Sequence, residues 1–271
     1  MKSLKPFFAI LFIFGFSFLT VSQTEKTGIK VDIITNKGTI TVLLYDETPL
    51  HRDNFLKLVK ENFYNNMLYH RVIQNFIIQT GNPGARRETG TKETYYVPEN
   101  STVPAEIIPA NFHRRGVLNA ARMGEATNPY LESSRTHFTI IQGMKQTDSS
   151  LDAAEKRIEG FYRAHLQALY SVELKKSNPE LSAETNKDEL QTQIDRLIAA
   201  KMEEVGSSLK IPEAHRAVYK TVGGAPHLDF TYTVFGEVLE GMDVVDAIAA
   251  VPVEKERPTE EVYIIRMQLR D

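Results

Sequence analysis

The chain has 271 residues, 42% of them apolar, enough for one sizeable core or for a core with a smaller appendage. Net charge is −3, and setting aside the first 22 residues, which carry Lys2 and Lys5 and no acid, leaves −5; the densest cationic spots, Arg86-Arg87 and His113-Arg114-Arg115, are short, which argues against a nucleic-acid partner. Cysteine is absent, so the fold uses no disulfide and carries no lipidated cysteine.

Lys2 and Lys5 precede an almost wholly apolar run over 7–21 and then Thr20-Val21-Ser22-Gln23. This is the pattern of a secretory signal peptide, predicted over 1–22, and the run is short for a bilayer span of about 20 residues. The remainder, 23–271, is expected to be exported to the periplasm or beyond and to keep no membrane span once the signal is cleaved. Val31, Ile33, Ile40, Val42 and Leu44 alternate around Asn36-Lys37-Gly38, which predicts a β-hairpin. Thr48-Pro49 opens a helix whose Phe55, Leu58, Val59 and Phe63 recur at helical spacing. The stretch 68–79 returns to strand character with a break at Gln74-Asn75, and 81–104, rich in Gly, Pro, Thr and Glu, reads as loop.

Two buried strands are predicted over 116–122 and 136–142, after which the period becomes helical from about 145 to 221. Leu151, Ala154, Ile158, Phe161, His165, Leu169 and Val172 form one stripe, and Leu190, Ile194, Leu197, Ile198, Met202 and Val205 another, with Ser177-Asn178-Pro179 between them. A shorter third helix opens at Pro212 and closes near Gly223-Gly224. Each stripe reads as the core of an αα-hairpin rather than as a groove for other chains. Strand 232–238, a helix over 242–250 and a last alternating strand with Tyr263, Ile265, Met267 and Leu269 complete the chain. Spacing alone supports a sandwich or a barrel.

One strongly basic side chain, Arg71, stands in the otherwise apolar run Tyr69-His70-Arg71-Val72-Ile73-Gln74-Asn75-Phe76-Ile77-Ile78-Gln79. Further along come Gly116-Val117-Leu118-Asn119-Ala120-Ala121-Arg122, Ser134-Arg135-Thr136-His137-Phe138-Thr139-Ile140-Ile141, and His227-Leu228-Asp229 followed by Tyr232-Thr233-Val234-Phe235-Gly236. In this order the segments resemble the cyclophilin family of peptidyl-prolyl cis/trans isomerases, and together they cover most of 29–271. The resemblance implies a mainly β fold, a closed eight-stranded antiparallel barrel with two flanking helices. The helical block then resembles an insertion between neighbouring strands, tolerable because closing a longer loop adds little, provided its ends lie close together.

The same resemblance implies Arg71 as the catalytic guanidinium, Phe76 and Ile77 as the floor of a proline pocket, and Gln79 as the group that orients Arg71 and holds substrate backbone. Ala121 and Arg122 fall at groove positions, His137 at a backbone contact, and Leu228, with His227 and Tyr232, at the pocket wall. The chain departs from the family pattern at His137, where glutamine is usual, at Thr139, where an aromatic closes the pocket, and at His227, where tryptophan or another bulky residue is common. His70, next to Arg71, is read as structural and turned to the opposite face. His137 and His227 lack a third ligand at a recognisable spacing, so no metal and no cofactor is expected. Two functions stay open: turnover of X-Pro bonds in exported folding proteins, or binding of proline-containing segments, as a holdase, with weakened turnover.

Overall fold

The computed structural model describes residues 27–87 and 102–270; the expected signal peptide lies outside the described residues. Strands β1 (Gly28–Thr35) and β2 (Gly38–Tyr45) form the hairpin, turning at Gly38, whose φ of 137° excludes an ordinary L side chain. Helix α1 (Pro49–Lys60) follows. Thr48 occupies its N-cap position, but the hydroxyl donates back to Tyr45 O; Glu106 caps the helix instead, accepting from Leu50 N at 3.0 Å and His51 N at 2.9 Å. Next come β3 (Met67–Leu68), β4 (Arg71–Ile73), β5 (Ile77–Thr80), β6 (Thr102–Val103), β7 (Val117–Arg122) and β8 (Ser133–Ile141). The helical block contains α2 (Asp148–Ser177), α3 (Lys187–Val205) and α4 (Glu213–Thr221). Then follow β9 (Val234–Glu240), α5 (Met242–Ala249), the small hairpin β10 (Val253–Glu254) and β11 (Arg257–Pro258), and β12 (Tyr263–Arg270).

Antiparallel ladders join the strands in the order β3-β12-β1-β2-β9-β7-β8-β5-β4, with β6 on β8. The closed eight-stranded barrel expected from the resemblance does not form: the sheet is a curled, open half-barrel. Its two ends, β3 and β4, succeed each other in the chain with only Tyr69 and His70 between them, so the seam is crossed by the covalent backbone, and adjacent residues of one extended segment cannot ladder to each other. Thr80 Oγ1 donates to Leu68 O across the seam at 2.9 Å, while the bond from Tyr69 N to Val262 O at 2.8 Å continues the β3–β12 ladder.

Period-2 alternation divides the apolar side chains between two clusters. Val42 and Leu44 of β2, Val72 of β4, Ile78 of β5, Leu118 of β7, Phe138 and Ile140 of β8 and Phe235 of β9 enter the main core, together with Phe55 and Leu58 of α1 and Val245 and Ile248 of α5. Their neighbours Leu43, Tyr45, Ile77, Val117, Ile141 and Val234 enter a second cluster on the other face.

The inserted helices have their own core, in which Leu151, Ile158, Leu190, Ile194, Ile198 and Tyr219 are buried. The α3 stripe enters it except for the exposed Leu197, but past Ile158 the α2 core moves on to Tyr162, Leu166, Tyr170 and Leu174, so the expected Phe161, His165, Leu169 and Val172 lie off it, with Val172 exposed. Thr147 and Ser150 form a capping box that starts α2. Met144 bridges Gly224 where the insertion leaves and rejoins the sheet. A Cβ on Gly143 would fall 2.5 Å from Gly224 Cα, so the two ends pass as a glycine pair. Among the described residues no helix is long and apolar enough to cross a membrane.

Candidate active site

β4 and β5 are two arms of a tight turn, made where Asn75 adopts a left-handed φ of 64°. Their register sets Arg71 opposite Gln79, Gln79 opposite Thr139 on β8, and Thr139 opposite Asn119 on β7, a polar row across neighbouring strands. The row two residues along is apolar, with Ile73 opposite Ile77 and Ile77 opposite Ile141. It belongs to the second cluster, where Phe76 and Tyr232 pack and where Leu228 and Ala225 are buried. The site is thus a guanidinium and an amide at the edge of an oily floor.

Within it, the Arg71 side chain is 40% exposed, its Nη1 donating to Gln79 Oε1 at 3.3 Å and its Nε to Glu256 Oε2 at 2.7 Å. The ring of His227 lies 5.2 Å from that of Phe76, tilted by 37°, so the imidazole packs beside the phenyl ring. Thr139 is buried and its hydroxyl donates to Asn119 Oδ1, which makes it floor rather than lid. Ala121 lies at the bulge where the β7–β8 register shifts between Ala120 and Arg122.

Arg122 is used inwardly. Its side chain is 1% exposed, with Nε on Thr231 O at 2.7 Å, Nη1 on Met123 O at 2.9 Å, Nη2 on Glu125 Oε1 at 2.6 Å and the guanidinium 4.3 Å from the centroid of the Tyr232 ring. Its cation braces the loop and the ring behind the groove. His70 falls between β3 and β4, outside strand alternation, and instead of turning away it meets His137 edge-on, ring centroids 5.5 Å apart. His137 keeps Nδ1 within 3.0 Å of Ser134 Oγ. Among the described residues no group of three or more His, Cys, Asp or Glu is placed to hold a metal.

Sequence reading missed three contributors. Asn119 was visible only as a strand residue, Asp229 only as the residue after the wall turn, and Glu256, 185 positions beyond Arg71, carried no local signal at all.

Burial pushes the imidazoles of His70 and His227 down to about 4, helped at His70 by His137 and Arg71 and at His227 by Arg157 and His113, and burial also lowers His137. At neutral pH these rings are uncharged. In the unfolded chain they return to the ordinary value of 6.5, so below it the unfolded state binds more protons than the folded one. Stability is therefore full above about pH 6.5 and drains as the pH falls toward about 4. Thermal melts should be level from pH 7 to 8 and decline through that window, less steeply in His227→Gln; melts level down to pH 4 would contradict the assignment.

The curled open sheet with flanking helices is the scaffold on which Arg71, Gln79 and the apolar floor sit, and the protein belongs to the cyclophilin-type peptidyl-prolyl cis-trans isomerase family, whose pattern matches residues 30–160 and 215–269. The unmatched stretch, 161–214, falls inside the inserted helices. A candidate peptidyl-prolyl cis-trans isomerase of Staphylococcus haemolyticus is 26% identical over 92% of this chain and 95% of its own length. A peptidyl-prolyl isomerase of Mycosarcoma maydis is 39% identical over 109 residues; the match covers 40% of this chain, which spans only 21% of that longer protein. A cyclophilin-type isomerase of Cryptosporidium parvum has the same fold at 20% identity, TM-score 0.52, covering 90% of this chain and 99% of that one. That protein is also solved in the presence of the dipeptide Ala-Pro, with 19% identity, TM-score 0.50 and coverage of 89% and 99%.

Proposed function

We propose that the protein accelerates cis/trans rotation of X-Pro bonds in exported polypeptides that are still folding, without covalent chemistry and without a cofactor. The observation that carries this reading is the ladder pairing of Arg71 with Gln79 beside the cluster of Phe76, Ile77, Leu228 and Tyr232. Amide resonance sets a barrier of about 18 to 20 kcal/mol, and the X-Pro bond crosses it in tens to hundreds of seconds. Seating the prolyl ring on that cluster removes water from the imide. As resonance breaks, the nitrogen becomes pyramidal and gains a lone pair that only the transition state offers, and the Arg71 guanidinium donates to it. Gln79 spends Oε1 on Arg71, leaving its amide N–H groups for substrate backbone. A thousandfold acceleration corresponds to about 4 kcal/mol, within reach of one charge-assisted hydrogen bond plus desolvation. Rotation transfers no proton, which suits a site whose histidines are neutral.

Export rests on the sequence of residues 1–22, with its two lysines and apolar run. Measuring cis/trans exchange of an Ala-Pro peptide by magnetisation transfer separates turnover from mere binding. The proposal expects exchange rates to rise in proportion to catalytic amounts of the unaltered protein. Binding without acceleration would replace it with the holdase reading.

A further inference from the structure

We propose that Glu256 is a positioning residue for Arg71, supplied by the β10–β11 hairpin to the far side of the guanidinium. The inference rests on Arg71 being the catalytic group. An arginine fork has five N–H donors on a long, mobile stem. Here it is held from two directions, with Gln79 Oε1 taking Nη1 at 3.3 Å and Glu256 Oε2 taking Nε at 2.7 Å, while among the described residues Nη2 has no hydrogen-bond partner and is left for substrate. Side chains 40% and 51% exposed make a weak ion pair when nothing else fixes them. This pair is fixed by its backbone: Val72 N, next to Arg71, donates to Glu256 O at 2.7 Å, so hairpin and β4 are registered to one another before the carboxylate meets the guanidinium.

The turn itself points the same way. Lys255 and Glu256 are the two residues between β10 and β11, and both are left-handed, with φ of 47° and 66°. A two-residue turn of this kind favours Asn-Gly or Asp-Gly, because side chains with a Cβ are strained there. A glutamate kept against that preference, with its carboxylate on the Arg71 guanidinium, is a backbone irregularity with a function attached.

Glu256→Gly removes the carboxylate while relieving the turn and leaving the backbone carbonyl in place. The expected result on an Ala-Pro peptide is a roughly tenfold fall in kcat with KM within about twofold, while the melting temperature is unchanged or higher. Glu256→Gln, which keeps an oxygen acceptor at the same reach, should restore kcat to within about threefold of the unaltered protein. The Arg71 Nε–H resonance is expected to be slowed in solvent exchange by its bond to Glu256 in the unaltered chain and to exchange faster in Glu256→Gly. A turn with a purely structural role predicts a change in melting temperature and none in kcat. Unchanged or increased kcat in Glu256→Gly overturns the proposal. If Arg71→Ala leaves turnover intact, the reading of Arg71 fails; if Arg71→Ala abolishes turnover and Glu256→Gly does not slow it, only the role of Glu256 fails.

Discussion

Arg71→Ala is expected to lower kcat/KM for an Ala-Pro peptide by about 100-fold to 1,000-fold, the usual consequence of deleting one donor aimed at charge that develops in the transition state. The loss should fall on kcat, because Phe76, Ile77, Leu228 and Tyr232 still seat the ring and ground-state binding is largely theirs. Stability should change by no more than about 0.5 kcal/mol, since the side chain is 40% exposed and its partners Gln79 and Glu256 can return to water. Arg71→Lys should recover little of the activity: a lysine is a point charge without a fork and cannot serve Gln79, Glu256 and substrate together. A protease-coupled assay of both variants decides this. A tenfold rise in KM with kcat intact would make Arg71 a binding residue and remove the transition-state donor from the mechanism.

Asp229→Ala should be the most damaging substitution for stability. Asp229 is 3% exposed, and its carboxylate accepts from His113 N at 2.9 Å, from His113 Nδ1 at 2.9 Å and from Tyr219 OH at 2.8 and 2.9 Å. Tyr219 comes from α4, His113 from the segment before β7, and Asp229 directly follows the His227-Leu228 wall. One buried carboxylate therefore ties the inserted helices to the pocket. Removing it strands several buried donors, at about 1 to 3 kcal/mol for each group left without a partner. The expected loss is about 3 to 5 kcal/mol, with the thermal midpoint falling by roughly 6 to 15 °C. Tyr219→Phe deletes only the hydroxyl and should lose about 1 to 2 kcal/mol, while raising KM because the wall turn is less firmly held. Calorimetry of the two variants tests this, and an Asp229→Ala protein melting within 2 °C of the unaltered chain would show that the insertion is not latched to the pocket.

Local patterns were legible in the sequence wherever one element's own period carried the information. The hairpin around Gly38, the apolar face of α3 and the first turns of that of α2, and the break at Gln74-Asn75 all depend on residues within a few positions of each other. What escaped depends on partners far apart in the chain. Thr48 looked like a cap, but the helix start is satisfied by Glu106 from another loop. Arg122 was assigned to the groove because its neighbours resemble a groove strand; nothing nearby shows that Thr231 and Tyr232, far along the chain, close over its guanidinium. Closure of the barrel was inferred from the family, whereas the ladder path depends on whether two short segments, β3 and β4, can pair across a seam that is their own connection. The polar row from Arg71 to Asn119 is likewise a product of register over several strands, and register is fixed only when one face of each strand is buried.

The most direct measurement is the location of a bound prolyl ring while its peptide is exchanging. With isotope-labelled protein and an Ala-Pro peptide in fast turnover, nuclear Overhauser contacts should run from the ring protons to Phe76 and Leu228, with the Arg71 guanidinium resonances shifting in step. Contacts to the inserted helices with no shift at Arg71, or exchange no faster than in buffer, would contradict the account.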